Sequence, residues 1–143
     1  MCYFYGTKRF PGSRGYEEGT CAVHCVAAVF AHHGRKVSFK KLHHQMKPTP
    51  MAGTGTDGLL DVLQRNGFIV GLYASLTLEQ VKNVLDVDGQ IIAHVDGNHG
   101  VVLHGLSDTH AYIADSGRWL TRQRLETFLG RWTLREGIVV LAR

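Results

Sequence analysis

The 143-residue sequence has the size of one ordinary domain and a globular balance of 44% hydrophobic and 20% charged residues. Its net charge of +4 comes from Lys and Arg that stand singly or in pairs, which argues against nucleic-acid binding. No apolar run is long enough to cross a bilayer, and the segment "MCYFYGTKRFPGSRGY" lacks the apolar centre of a signal peptide. A soluble chain that acts in the cytoplasm and carries no export signal of its own is therefore expected.

Helices are predicted in the first half of the chain. Residues 21–33 are rich in Ala and Val, with Thr20 as a plausible N-cap and Gly34 as a natural stop. Similar patterns predict a second helix over residues 38–46 and a third over residues 57–66.

Strand patterns dominate from residue 68 onward. Two more helices are predicted there, one over 77–86 with capping-box spacing and one over 121–132. Short links between the strands favour antiparallel hairpins. The sequence thus predicts an α+β domain, residues 15–143, with N-terminal helices on an antiparallel sheet and residues 1–14 as an arm. The short apolar runs that predict strands are 68–74, 90–96, 99–106, 110–115 and 137–143.

The three cysteines are too few for a disulfide framework and are expected to be thiols. Cys21 falls at a helix N-terminus, where unpaired N–H groups and the helix dipole favour a thiolate, the nucleophilic form. Cys25, one turn later among Ala and Val, fits ordinary core packing. We assign no role to Cys2.

A cysteine nucleophile needs a histidine, and the histidine needs an orienting group. His99 opens an apolar strand directly after the turn "DGN", where its ring would be fixed and reachable. Asp115 ends the next strand, so hairpin geometry makes it a neighbour of His99, although it also suits a turn aspartate. His104 lies on the other face of the strand and is expected to be a satisfied structural residue.

Four segments, in order, resemble the double-glycine peptidases, the cysteine peptidase domains of ABC transporters that export bacteriocins. That family carries a Cys-Gly-x-x-Cys helix, an aromatic pair, Gly and a basic-apolar-Ser stretch, and later a His strand and an Asp-Pro strand. The segments of this chain that match are "CAVHCVAAVFAHHGRKVSFKKL", "GTGTDGLLDVLQRNGF", "GNHGVVLHGL" and "AYIADSG".

The resemblance implies a papain-like fold in which Cys21 is the nucleophile, His99 the general base and acid, and Asp115 the group that orients the imidazole. It also implies cleavage of a protein or peptide after Gly-Gly, without a cofactor or metal. The family usually has an oxyanion-hole glutamine six residues before the cysteine, where this chain has Gly15. Glu17, Glu18 or Tyr16 is expected to substitute for it, or backbone N–H groups at Cys21 do most of that work.

Other patterns in the sequence match different functions less well. "GTGTDG" matches a dinucleotide fingerprint, but no strand precedes it. A zinc site is a further possibility, with candidate ligands in Cys21 and His24 and in the pairs His32-His33 and His43-His44. Most of these residues, however, lie on one apolar helix, which is not typical of a structural zinc site. A degenerate docking module and a deamidase or acyltransferase with the same triad stay open. The basic charge also suggests an effector or toxin module, delivered within a larger polypeptide, with a protective immunity protein as partner.

Overall fold

The computed structural model describes residues 21–35, 38–46, 56–97, 99–115 and 118–142. Several predicted features lie outside the described residues: the Thr20 cap, the arm over residues 1–14, and the oxyanion candidates Tyr16, Glu17 and Glu18. In the described part, no helix is both long and apolar enough to cross a membrane.

The described part forms helices and strands in the predicted order, apart from one additional strand. The helices are α1 (Cys21–His32), α2 (Phe39–Met46), α3 (Thr56–Arg65), α4 (Leu78–Asp86) and α5 (Leu125–Arg131). The strands are β1 (Phe68–Tyr73), β2 (Gln90–Val95), β3 (His99–Leu106), β4 (His110–Asp115), β5 (Arg118–Arg124) and β6 (Gly137–Ala142).

Local chemistry explains where the helices begin and end. Gly34 takes a left-handed conformation (φ 71°) and its N–H donates to the carbonyl of Ala31, which closes α1. Thr77 and Gln80 form the predicted capping box at α4, since each side chain bonds to the other residue's backbone N–H at 3.1 and 2.9 Å.

One predicted element is wrong in part. Residues 121–124 belong to strand β5, and the helix begins only at Leu125. The reason is pairing with β4, because Thr121 lies opposite Ile113 and Gln123 opposite Ala111. Exposure along 121–124 alternates with a period of two, as a strand requires.

The six strands form a single antiparallel sheet in the order β1-β6-β2-β3-β4-β5. Helices cover both of its faces. One face packs Ile92, Val102 and Val140 against α1, α2 and α3. The opposite face packs alternate residues, such as Val101 and Leu103, against α4 and α5. The α+β class with N-terminal helices on an antiparallel sheet is confirmed.

Candidate active site

His99 and Asp115 meet at one end of the β3–β4 hairpin. The imidazole Nε2 and the carboxylate Oδ1 are 2.5 Å apart, a short hydrogen bond. Both side chains are partly buried, at 12% and 26% exposed. Among the described residues, the other ring nitrogen, Nδ1, has no hydrogen-bond partner. A ring held through Nε2 in this way can exchange a proton through Nδ1.

The register of the sheet produces this contact. Val102 of β3 lies opposite Ala114 of β4, so the start of β3 and the end of β4 come together. The turn before His99 uses left-handed backbone at Asp96 (φ 55°) and Gly97 (φ 76°). The juxtaposition of His99 with Asp115 that hairpin geometry predicts is therefore present, and their catalytic roles stay predictions.

Cys21 is the first residue of α1, and its side chain lies outside what the structure describes. Its position in the first helical turn, where backbone N–H groups lack helical partners, is the one the sequence predicts. The catalytic role of Cys21 stays a prediction.

Cys25 lies in the second turn of α1, four residues after Cys21. It is 3% exposed, and burial, with the negative charge of Asp115 as the second cause, raises the pKa of its thiol. A thiol in this environment stays protonated, which makes Cys25 a core residue and no competitor for the nucleophile's role.

Sequence reasoning missed Arg131, the last residue of α5. Its guanidinium donates to the Asp96 carboxylate, with Nη2–Oδ2 at 2.8 Å and Nε 3.1 Å from both oxygens. The same Nη2 lies 3.7 Å from Oδ2 of Asp115. No local pattern marks this arginine, since its partners come from two other elements.

The remaining histidines divide by their surroundings. His94 pairs with Glu136, and His32 pairs with Asp88 at 2.9 Å. His104 stacks on His32 with ring centroids 5.0 Å apart. Within the described ranges, no group of three or more His, Cys, Asp or Glu side chains is arranged to hold a metal ion.

Comparison with known proteins identifies the family. The model of the peptidase C39 family matches residues 10–143. The chain belongs to the peptidase C39 family. The resemblance found in the sequence is confirmed, and the protein is a cysteine peptidase by family. Residues 1–20 lie outside the described part, so the boundary between arm and domain stays a prediction.

Individual relatives agree with this assignment. The chain is 25% identical over 119 residues to the lactococcin-G-processing and transport ATP-binding protein LagD of Lactococcus lactis subsp. lactis. The match covers 82% of this chain but only 17% of LagD. The chain thus spans about a sixth of that relative's length.

Solved structures share the fold. A double glycine motif protease from an AMS/PCAT transporter, in complex with the leader peptide, superposes with a TM-score of 0.65 at 23% identity. That match covers 85% of this chain and 81% of the other. The peptidase domain of Streptococcus ComA, a bifunctional ABC transporter, gives a TM-score of 0.63 at 19% identity, with 99% of both chains covered. The papain-like fold of this C39 domain is therefore confirmed.

Proposed function

We propose that this C39 domain cleaves a protein or peptide substrate after a Gly-Gly pair, with Cys21 as nucleophile, His99 as proton carrier and Asp115 as orienting group. The observation that carries the proposal is the short bond between His99 Nε2 and Asp115 Oδ1. The influence of Asp115 on the thiol pKa of Cys25 supports it, because Cys25 lies one turn after Cys21 on α1.

The chemistry follows from these positions. The Cys21 thiolate attacks the carbonyl carbon of the scissile bond, and the positive end of α1 favours the thiolate. The imidazolium of His99 then gives its Nδ1 proton to the departing amine, which leaves a thioester on Cys21. His99 next takes a proton from water, whose oxygen attacks the thioester and releases the acid and the thiol. Asp115 holds the Nε2 proton throughout and fixes the ring.

Preference for Gly-Gly rests on the relatives. One neighbour in fold is a double glycine motif protease bound to a leader peptide, and LagD processes lactococcin G. The sequence resemblance to double-glycine peptidases points the same way. Two glycines would let the substrate backbone pass through a groove too narrow for side chains.

The test uses synthetic peptides that are matched except at the two residues before the expected cut, Gly-Gly against Ala-Ala and Val-Val. Mass spectrometry reads the products, and Cys21→Ser is the negative control. Cleavage only after Gly-Gly, abolished by Cys21→Ser, supports the proposal. A one-dalton gain on a Gln side chain would point to deamidation, and linkage to an added amine to acyl transfer. Binding without any reaction would point to a docking module; each of these results would replace peptide hydrolysis.

We further propose that the domain acts in the cytoplasm as an effector delivered within a larger polypeptide, and that the producing cell holds an immunity protein against it. The net charge of +4 supports an acidic inhibitor or target, since complementary charge speeds association. The test is the genomic neighbourhood. A neighbouring gene for a small acidic protein that binds and inhibits the domain is expected, whereas an adjacent exporter of Gly-Gly leader peptides, without an inhibitor gene, would contradict the proposal.

A further inference from the structure

The structure assigns Arg131 as a positioning residue for the triad, an inference that rests on the proposed function. Arg131 links the two segments that carry His99 and Asp115. Its guanidinium binds Asp96, three residues before His99 in the chain, and also faces the second oxygen of Asp115. The side chain of Arg131 is 20% exposed and that of Asp96 is 41% exposed, so the guanidinium is mostly buried while its bond to Asp96 remains open to water.

The link to the β2–β3 turn is made twice. The side chain of Arg131 forks onto the carboxylate of Asp96, and the N–H of Asp96 donates to the carbonyl of Arg131 at 2.9 Å. Asp96 has a left-handed backbone, which costs a non-glycine residue on the order of 1 kcal/mol and persists only where its surroundings hold it. Arg131 supplies that hold, directly before the strand that His99 begins.

The contact between Arg131 and Asp115 is an ion pair that restrains the carboxylate. Oδ1 contacts His99 Nε2, while Oδ2 lies 3.7 Å from Nη2 of Arg131. A carboxylate engaged from two sides cannot rotate without loss of one contact. The positive charge also favours the ionised carboxylate, the form that accepts the imidazole N–H. The hydrogen bond to Asp96, and further the charge of Asp115, raise the pKa of Arg131, so the cation persists at all working pH values.

Helix α5 is firmly seated, which lets Arg131 act as an anchor. Phe128 and Trp132, on either side of Arg131 in the chain, are fully buried against the sheet. The indole N–H of Trp132 also donates to the carbonyl of Glu136 at 2.8 Å. The side chain of Arg131 therefore extends from a well-packed helix end toward the two segments that carry His99 and Asp115.

The experiment compares Arg131→Gln, Arg131→Lys and Asp96→Asn with the matched control Arg124→Gln, which removes an exposed ion pair with Glu126. Two readouts are used in the full chain. One is the iodoacetamide alkylation rate of Cys21 from pH 5 to 9, followed by mass spectrometry. The other is kcat and KM on a Gly-Gly peptide.

Arg131→Gln should lower kcat about 30-fold and change KM less than about 3-fold, since misplacement of a catalytic group mainly slows the chemical step. The acid limb of the Cys21 alkylation profile should move up by about half a pH unit, because the charge of Arg131 then no longer opposes protonation of Asp115. Arg131→Lys should restore the limb but only part of kcat, since an ammonium lacks the planar fork. For Asp96→Asn, both kcat and the acid limb of the alkylation profile should lie between those of the wild type and Arg131→Gln.

Two results would separate the inference from the proposed function. If Cys21 is activated in the wild type and His99→Ala removes the activation, but Arg131→Gln leaves the pH profile and kcat unchanged, the role of Arg131 is overturned alone. If Cys21 reacts like a free thiol in the wild type and His99→Ala changes nothing, the proposed function itself is overturned. Should Arg131→Gln fail to fold by circular dichroism, Arg131→Lys and Asp96→Asn decide the question by the same readouts.

Discussion

Strand β3 carries the dipeptide His-Gly at its beginning, with His99, and again near its end, with His104. The two rings have opposite surroundings. His99 is bonded to a carboxylate, with a guanidinium close behind it. His104 faces other imidazoles, since it stacks on His32 of α1, and its Nδ1 is buried without a hydrogen-bond partner in the part of the chain that the structure describes.

The titration of His104 reflects this environment. Burial, and then the charges of His32 and His33, lower the pKa of His104 to about 4. The expectation that His104 is a satisfied structural residue is therefore wrong with respect to its Nδ1. Two identical dipeptides on one strand thus differ in chemistry because of what the neighbouring elements place beside them, namely an aspartate at one end and a helix-borne histidine at the other.

The largest difference in activity is expected between the two histidine-to-alanine variants of β3. His99→Ala should lower kcat/KM on a Gly-Gly peptide about 1,000-fold, since the proton carrier is lost. His104→Ala should stay within about 3-fold of wild type at pH 7.5, because no reacting group depends on that ring. Equal losses of kcat/KM in two equally stable variants would show that His99 and His104 do not differ in their importance for catalysis.

Removal of the charge at Asp115 should leave His99, like His104, without a carboxylate partner among the described residues. Asp115→Asn keeps the shape of the side chain but offers the His99 ring an amide, which no longer selects the tautomer with the Nε2 proton. We expect kcat to fall about 100-fold. In the same variant, Cys25 loses the negative charge that helps to raise its thiol pKa. Because burial is the larger cause of the raised pKa, alkylation of Cys25 in the absence of denaturant should still be negligible. Wild-type kcat in this variant would exclude an orienting role.

Acid should destabilise the folded protein through protonation of His104, near the end of β3. His104 has a pKa of about 4 when folded and about 6.5 when unfolded, so the unfolded chain binds the proton first as the pH falls. The stabilising contribution is complete above pH 6.5 and is lost between about pH 6.5 and 4, a change of about 2 kcal/mol after allowance for partial exposure. Urea unfolding should show that the free energy of unfolding of the wild type falls as the pH is lowered through this range. The slope of that dependence on pH should be shallower in His104→Leu.

The matched control for that slope is His44→Gln, on the exposed side of α2. It should unfold with the wild-type pH dependence. An unchanged slope in His104→Leu would assign the acid sensitivity to other groups.

The smallest effect is expected from the partner ring. His32→Gln removes the stack on His104 and the hydrogen bond that lowers the pKa of Asp88. The stability change should be within about 0.5 kcal/mol, since the Asp88 pair is exposed to solvent. The His104 pKa, followed by NMR, should rise because one positive neighbour is gone. A further fall would mean that the stack itself favours the charged ring.

Much of this architecture could be predicted from local patterns. Apolar runs between turn residues mark strands, and caps such as Thr77 and Gly34 mark helix ends, because these signals act within a few residues. The meeting of His99 and Asp115 was also predictable, since a short hairpin must bring its two open ends together.

Other features depend on distant parts of the chain. Strand β5 is polar, with arginines on its exposed side, and only its pairing with β4 separates it from the helix that follows. Arg131 gains its contacts from the seating of α5 beside two turns of the sheet, and no spacing in the sequence reports that seating. The state of His104 likewise follows from the approach of α1 to β3.

The position of β6 has a consequence for the synthesis of the protein. Residues 137–142 lie between β1 and β2 in the sheet, so the hydrogen bonds on both sides form only after the other five described strands have been translated. A nascent chain that still lacks β6 has two separate sheet fragments, β1 alone and β2 to β5 together. Because long-range pairing forms late, the six-stranded sheet of this domain would be completed only after β6 leaves the ribosome.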